Sequence, residues 1–481
     1  MNDKITPSSE EATYPASPSR LSRRGLLGML GAGAATVGGG LAFPTNALAA
    51  PPRTGTSAEL VGRAADDAYW RRVRRLFTLS KDSTFMNVGT VGSPPREVLA
   101  VYDETNREVA RGAVSAYSGF DDVRAHAADS FGCDPDEVAL SHNTSDGLSK
   151  VLAGLDLREG DEILTTNHEH GGGLVPMALL QNRHGVVVRK VAVPVGNDQR
   201  AEDYVELFRQ AIGPRTKVML FSAPTYKTGT MLPIRMLAEL AQEHGLTSVV
   251  DAAHVPGMMA YEYRALGVDF IAGSCAKWQC GPAATGLIYI RNKVLPEHNP
   301  NPLPAFWPVV SSSYPQEGGM PPRSETGEAS YDIGLYLTSV GNGSLATMTA
   351  LDATYTVWER IGRKRVETYV VGLADRLKRK AAERWGVKAL YSPMDDDRLT
   401  CALTSFNPFQ NPADITDEAK STRLVERVRD EYGYTLRNVG FDVIGSDKQH
   451  FPVRISTHLF HNADDVDGVV AAVWKVSKSL A

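Results

Sequence analysis

Two short blocks of this chain carry residue types able to do chemistry. One is Ser248-Val249-Val250-Asp251-Ala252-Ala253-His254. The other is Gly273-Ser274-Cys275-Ala276-Lys277-Trp278, followed by Gly281-Pro282 and Thr285-Gly286. Each opens as a short apolar run of strand type and closes on small or polar residues. An acid thus ends one buried strand, and a serine and a lysine follow the next, with Lys277 26 residues beyond Asp251. In open α/β sheets, ligands bind outside the carboxyl ends of the strands, so acid and lysine face one crevice. A lysine acts as nucleophile or base when its amine can deprotonate, which burial favours. Taken alone, Lys277 reads as a surface lysine ending a strand, and Asp251 also suits an N-cap.

Three further motifs sit where strands end. Asn143-Thr144-Ser145-Asp146-Gly147 lies between a strand and a helix. Free N–H groups and the positive dipole end there suit a phosphate, although any capping sequence looks the same. Thr165-Thr166-Asn167-His168-Glu169-His170 follows a strand. Two histidines at i, i+2 give no full ligand set, so no metal is expected. Arg454-Ile455-Ser456-Thr457-His458 offers a guanidinium fork that matches a carboxylate, or an ordinary strand arginine facing solvent.

The elements that must position these residues alternate. Strands are expected at Val138–Ser141, Glu162–Thr166, Val186–Val193, Val218–Ser222, Ser248–Asp251, Phe270–Ser274 and Gly286–Ile290. Val186–Val193, apolar and β-branched, reads as buried. Helices are expected from Leu148, over Glu202–Ile212 and over Ile234–His244. This order argues for an α/β fold with a mainly parallel sheet between helices. Residues 297–330, rich in Pro, Gly and Ser, form a long loop of the kind that lines sites. A helical stretch over Ser344–Trp385 breaks near Gly362. An α+β pattern follows: strand Thr400–Phe406, helix Thr416–Tyr432, strand Val453–Ser456, helix Ala463–Ser479. The expected division is a lead-in and helix over 50–83, a large domain over 84–343, and a linking helix with a smaller C-terminal α+β domain over 344–481. Asp66 to Leu79 reads as an amphipathic helix whose arginine pairs form a solvated face.

The first 49 residues read as an address. Ser22-Arg23-Arg24-Gly25-Leu26-Leu27 precedes a Gly/Ala-rich apolar run, and Ala47-Leu48-Ala49 fits a small-x-small cleavage site. This resembles a twin-arginine export signal. The competing reading, a membrane anchor, is disfavoured by the weak, Gly-rich run. A soluble periplasmic or extracellular protein is expected, with the twin-arginine translocation machinery as a partner and no stable membrane anchor.

Composition narrows the class. The 481 residues are 42% hydrophobic and 22% charged, which is globular rather than disordered. A net charge of −5 carries no nucleic-acid footprint. Four cysteines, Cys133, Cys275, Cys280 and Cys401, supply neither a disulfide framework nor a zinc spacing.

Together, these blocks resemble fold-type I pyridoxal-phosphate enzymes of the class V aminotransferase family, most closely its isopenicillin N epimerase-like branch. The similarity runs from Phe85-Met86-Asn87 to the last helix. The resemblance implies pyridoxal 5'-phosphate held by Lys277 as a Schiff base. Asp251 would pair with the pyridine nitrogen, His254 would contact the phenolic oxygen, and His170 would stack on the ring. Thr144, Ser145 and Ser274 would bind the phosphate, and Asn342 would reach the phosphate of a partner subunit. Arg454 would grip the substrate carboxylate, with Asn87 and Thr90 in a segment supplying backbone groups nearby. Tyr226 stands where relatives commonly have an Asn, and Ala276 where many have a His. The freed Lys277 would be the base at Cα–H.

A homodimer acting on a small amino-acid or peptide-like substrate is the implied assembly. Epimerisation, transamination or natural-product tailoring, siderophores included, is the leading expectation. A β-eliminating C–S lyase is the alternative, and a non-catalytic amino-compound binder on the same fold the alternative from another class. Persulfide transfer is not expected, because no cysteine lies in the site-lining stretch 297–340.

Overall fold

The computed structural model describes residues 67–116, 120–303, 306–308 and 332–480, all within one compact unit, Ser57–Ala481. The expected export signal 1–49, the lead-in up to residue 66 and most of the stretch 297–330 lie outside the described residues.

Helix α1 (Asp67–Arg74) buries Tyr69, Trp70 and Val73 and leaves Arg71 and Arg72 exposed, the solvated face expected of it. It ends at Arg74, short of the expected Leu79. Strand β1 (Thr84–Phe85) and helices α2 (Arg96–Gly112) and α3 (Asp121–Phe131) follow. Strands and helices then alternate as β2 (Val138–Ser141), α4 (Thr144–Gly154), β3 (Glu162–Thr166), α5 (Gly171–His184), β4 (Val187–Val191), α6 (Ala201–Ala211), β5 (Thr216–Ser222), α7 (Ile234–Glu243), β6 (Thr247–Ala252), β7 (Phe270–Ser274) and β8 (Gly286–Ile290).

Seven of these strands form one sheet in the order β2-β8-β7-β6-β5-β3-β4. β8 alone runs against its neighbours; the other pairings are parallel. Six carboxyl ends, those of β2, β7, β6, β5, β3 and β4, therefore share one edge. Helices α8 (Ile333–Thr338), α9 (Leu345–Ile361) and α10 (Arg363–Trp385) come next. Gly362, at φ 94°, separates α9 from α10, which is the expected break.

Successive strand residues feed opposite faces of the sheet. Met219, Phe221, Val250 and Ile271 join one core with residues of α3, α6, α7 and α9. Val218, Leu220, Val249 and Phe270 join another with residues of α4, α5 and α8. This is the α/β sandwich with a mainly parallel mixed sheet that the sequence implied.

The remainder contains β9 (Leu403–Phe406), α11 (Glu418–Tyr432), β10 (Tyr434–Thr435), β11 (Arg437–Asn438), β12 (Val453–Ser456) and α12 (Ala463–Ser479). β11-β12-β9 form an antiparallel sheet with its own core, including Phe406, Leu424, Ile455 and Val469. The parallel pair β1–β10 ties the segment before Met86 to this part of the chain.

Two expectations need correction. β4 is not buried: it is an edge strand paired with β3 alone, and Val187, Arg189 and Lys190 are exposed. Its β-branched residues reflect strand preference rather than burial. Helix α4 starts at Thr144, not Leu148, because Asn143 caps it by accepting the Asp146 N–H at 2.9 Å.

Candidate active site

The shared strand edge delivers most of the residues singled out from the sequence. Asp251 is the fifth residue of β6, buried, and lies in register with Ser222 on β5 and Ala272 on β7. Its Oδ1 accepts the Ala253 N–H at 3.0 Å. Burial pushes its carboxyl pKa up, while Lys277 opposes the shift. Lys277 follows β7 in the turn after Ser274. Burial lowers its amine to about 8, against the pull of Asp251, with the Arg454 and Arg437 charges assisting. The neutral amine is thus far more populated near physiological pH than that of an ordinary lysine.

His170 caps α5: its Nδ1 accepts the Gly172 N–H at 3.0 Å, so in the neutral ring Nε2 carries the proton. The ring stands edge-on to Tyr226, with centroids 5.1 Å apart and planes at 84°. His170 is exposed; burial of its surroundings lowers its pKa and Asp251 raises it.

A group of polar residues lies at the β2 end of the same edge. The Thr144 Oγ1 is buried and has no hydrogen-bond partner. Gly172 is packed against the Ser145 side chain, so that a Cβ there would collide with its hydroxyl. The N-termini of α4 and α5 can approach only because that position is glycine. Ser274 is buried and pairs with Gly286, which is itself pressed against the Asn143 backbone. An orphaned hydroxyl, two helix N-termini and a nearby serine fit an anionic phosphate. Asn342 is exposed, and within this chain its Oδ1 accepts the Ala116 N–H at 2.7 Å.

Arg454 enters from β12. It is 2% exposed, and its bonded partners are neutral: the Tyr226 carbonyl at 3.0 Å, Asn87 Oδ1 at 3.1 Å and Thr90 Oγ1 at 3.2 Å. Its Nε is buried without a partner. Burial, aided by Arg437, lowers its pKa to about 9. A buried cation satisfied by neutral acceptors alone is costly, and an incoming carboxylate relieves it.

The segment from Asn87 to Gly92 serves this arginine with side chains rather than main-chain donors. Its Gly89, Thr90 and Gly92 N–H groups are already bonded, to Ser456 Oγ, Asn87 O and Ala276 O. His254 is buried, and its Nδ1 accepts the Trp278 indole N–H at 2.9 Å.

Sequence reasoning missed two residues here. Arg437 on β11 is the register partner of Arg454, and its charge acts on Lys277, His170 and Arg454. Its strand is two residues long, too short for any periodic signal. Glu169 is buried against Ser222 and Thr166, with Ser222 Oγ donating to Oε2 at 2.5 Å, and burial raises its pKa to about 7. It was masked by the more familiar reading of its histidine neighbours.

Burial holds the cysteine thiols in their protonated form. Cys275, Cys280 and Cys401 are buried, with thiols raised to about 12, about 12 and about 11, and burial raises Cys133 as well. Among the described residues no cluster of three or more potential metal ligands occurs, and no helix is long and apolar enough to cross a membrane.

The aminotransferase class-V family model matches residues 95–306. The isopenicillin N epimerase of Amycolatopsis lactamdurans is 26% identical over 417 residues, covering 85% of this chain and 99% of its own. The Streptomyces clavuligerus isopenicillin N epimerase is 28% identical over 357 residues, covering 73% and 83%. A probable cysteine desulfurase of Methanothermobacter thermautotrophicus is 24% identical over 405 residues, covering 82% and 94%. Among solved structures, the cystine C–S lyase C-DES with its product cysteine persulfide superposes with a TM-score of 0.65 at 21% identity, covering 82% of this chain and 98% of its own. The apo cysteine desulfurase of Thermococcus onnurineus NA1 gives 0.65 at 20% identity, covering 85% and 98%. At these identities the superpositions establish the fold, that of fold-type I enzymes.

Proposed function

We propose that this chain is a pyridoxal-phosphate-dependent enzyme of the class V aminotransferase family that acts at Cα of an amino-acid or peptide-like substrate. The observation that carries the reading is the position of Lys277: an amine lowered to about 8 by burial, beside buried Asp251, at the edge that also holds an orphaned Thr144 hydroxyl. The cofactor, when bound, supplies an electron sink that makes bonds at Cα labile. Thr144, Ser145 and Ser274 would hold its phosphate, Asp251 its ring nitrogen, and His170 and His254 its ring.

The substrate carboxylate lies on Arg454. The arginine is already fixed by Asn87, Thr90 and the Tyr226 carbonyl, so little side-chain freedom is lost on binding. The fork turns one bond at Cα toward the lysine side of the site. Lys277, far more readily deprotonated than an ordinary lysine, removes or returns the proton there. The buried thiols argue against a persulfide carried on the protein, so a desulfurase of the kind needing a protein thiolate is disfavoured.

Export by the twin-arginine route rests on Ser22-Arg23-Arg24 and Ala47-Leu48-Ala49, and the homodimer on fold-level analogy.

The test is product analysis after incubation of the loaded enzyme with single amino acids and small peptides in deuterated water. Deuterium at Cα, with inversion, names an epimerase. A keto acid formed without release of ammonia names a transaminase, and pyruvate formed with ammonia and a sulfur product from a sulfur amino acid names a C–S lyase. Binding with no exchange and no product would leave a binding protein and sink the enzyme reading.

A further inference from the structure

Trp278 sits next to Lys277 in sequence, yet its indole faces away from any open surface. It is completely buried, and its Nε1 lies 2.9 Å from His254 Nδ1. An indole nitrogen can only donate, so His254 Nδ1 must accept and carries no proton. The imidazolium is excluded by the same contact. What is left is one protonation state: a neutral ring with its hydrogen on Nε2.

The backbone that carries the indole is itself held. His458 Nε2 donates to the Trp278 carbonyl at 2.8 Å. The His458 backbone N–H donates to His461 Nδ1 at 2.9 Å, and His461 Nε2 donates to the Phe85 carbonyl at 2.7 Å. Gly257 packs against the Trp278 and Gln279 backbone so closely that a Cβ would collide with both. The carbonyl acceptors fix the tautomers of His458 and His461 as firmly as the indole fixes that of His254. Three histidines and a tryptophan thus form a scaffold with one arrangement of hydrogens.

We propose that Trp278 is a positioning residue that locks His254 as the neutral Nε2–H tautomer, making it an obligate hydrogen-bond donor to an oxygen acceptor of the bound cofactor. The inference rests on the cofactor reading above. The charged and titratable groups acting on His254 are Lys277 after β7, Arg454 on β12 and His170 at the start of α5. Burial first, and these charges with it, disfavour protonation of His254, in the same direction as the indole contact. A histidine free to take either tautomer would offer a lone pair to the acceptor part of the time, and the acceptor would lose its partner.

The experiment is nitrogen-15 NMR of histidine-labelled, cofactor-loaded protein, with the His254 signals assigned by their loss in His254→Gln. The expected result is a proton on Nε2 and none on Nδ1, unchanged from about pH 5 to about pH 9. Trp278→Phe keeps an aromatic ring but removes the donor; a tautomer mixture and an acid-induced imidazolium are expected. A proton on Nδ1 in the native protein, or an unchanged Nε2–H state in Trp278→Phe, would overturn the proposal.

Should Trp278→Phe not fold, two neutral replacements of His254 give the answer. Gln can accept from the indole with Oε1 and donate from Nε2, whereas Leu can do neither. The pH midpoint of the visible cofactor band is expected to stay within about half a unit in Gln and to move by about a unit or more in Leu. Equal shifts in both would overturn it. Failure of the cofactor reading would show separately, as no visible band in the native protein, while the tautomer could still be read without cofactor.

Discussion

Arg454 and Asn87 meet across 367 positions of sequence, with the arginine Nη2 donating to the asparagine Oδ1 at 3.1 Å. Thr90 Oγ1 donates to the same Oδ1 at 2.9 Å and accepts from the same Nη2 at 3.2 Å. The three side chains form a closed triangle in which the guanidinium is held but its charge is not neutralised. Arg454→Gln is therefore expected to lower kcat/KM about 100-fold for carboxylate substrates. Tm should hold or rise, because an uncompensated buried charge is removed. Steady-state kinetics and calorimetry check both; a large fall in Tm with unchanged kcat/KM would reverse the assignment.

Lys277 makes stability depend on alkaline pH. Its amine is lowered to about 8 from an ordinary 10.5, so between these values the unfolded chain binds a proton that the folded one does not. The contribution of Lys277 to the stability of the cofactor-free protein therefore rises with pH through that window, opposed above about pH 9 by the buried thiols, which burial raises. Lys378, buried on the Pro393 carbonyl and also lowered to about 8, contributes in the same sense. Lys277→Met should lower the slope of the urea midpoint against pH between about 8 and about 10.5, relative to the native protein.

Glu169 should act in the opposite sense and lower in pH. Burial raises it to about 7 from 4.5, so the folded chain holds the extra proton between those values. Its contribution is complete below the lower value and is lost as pH climbs through the upper one. Glu169→Gln should flatten that decline while keeping acceptors or donors for Ser222 and Thr166. Denaturation midpoints across the window measure it.

Much of this was legible beforehand. The strand edges carrying Asp251 and Lys277 were marked by apolar runs ending in polar residues, and Gly362 announced its helix break. Helix α5 was not legible: three glycines open it and Pro176 lies inside it, both poor helix signals. Gly172 is there for the Ser145 contact, a tertiary demand that no local pattern displays. Arg437 was missed as a site residue for the same reason, since its register with Arg454 exists only once distant strands pair.

Gly92 joins the Asn87 segment to the lysine turn. Its N–H donates to the Ala276 carbonyl at 2.8 Å, and a Cβ would collide with the Lys277 carbonyl oxygen. Gly92→Ala should cost about 1–3 kcal/mol of stability and displace the lysine. Weaker pyridoxal-phosphate binding by visible titration, alongside a lower Tm, is the expected outcome.

The most direct test of the central claim is chemical mapping of the lysine. Purified protein is incubated with pyridoxal phosphate, reduced with borohydride, digested and sequenced by mass spectrometry, with Lys277→Ala alongside. The account predicts a visible band before reduction, one phosphopyridoxyl label on Lys277, and neither in the variant. Absence of the band, or a label that persists on another lysine in Lys277→Ala with the band intact, would contradict it.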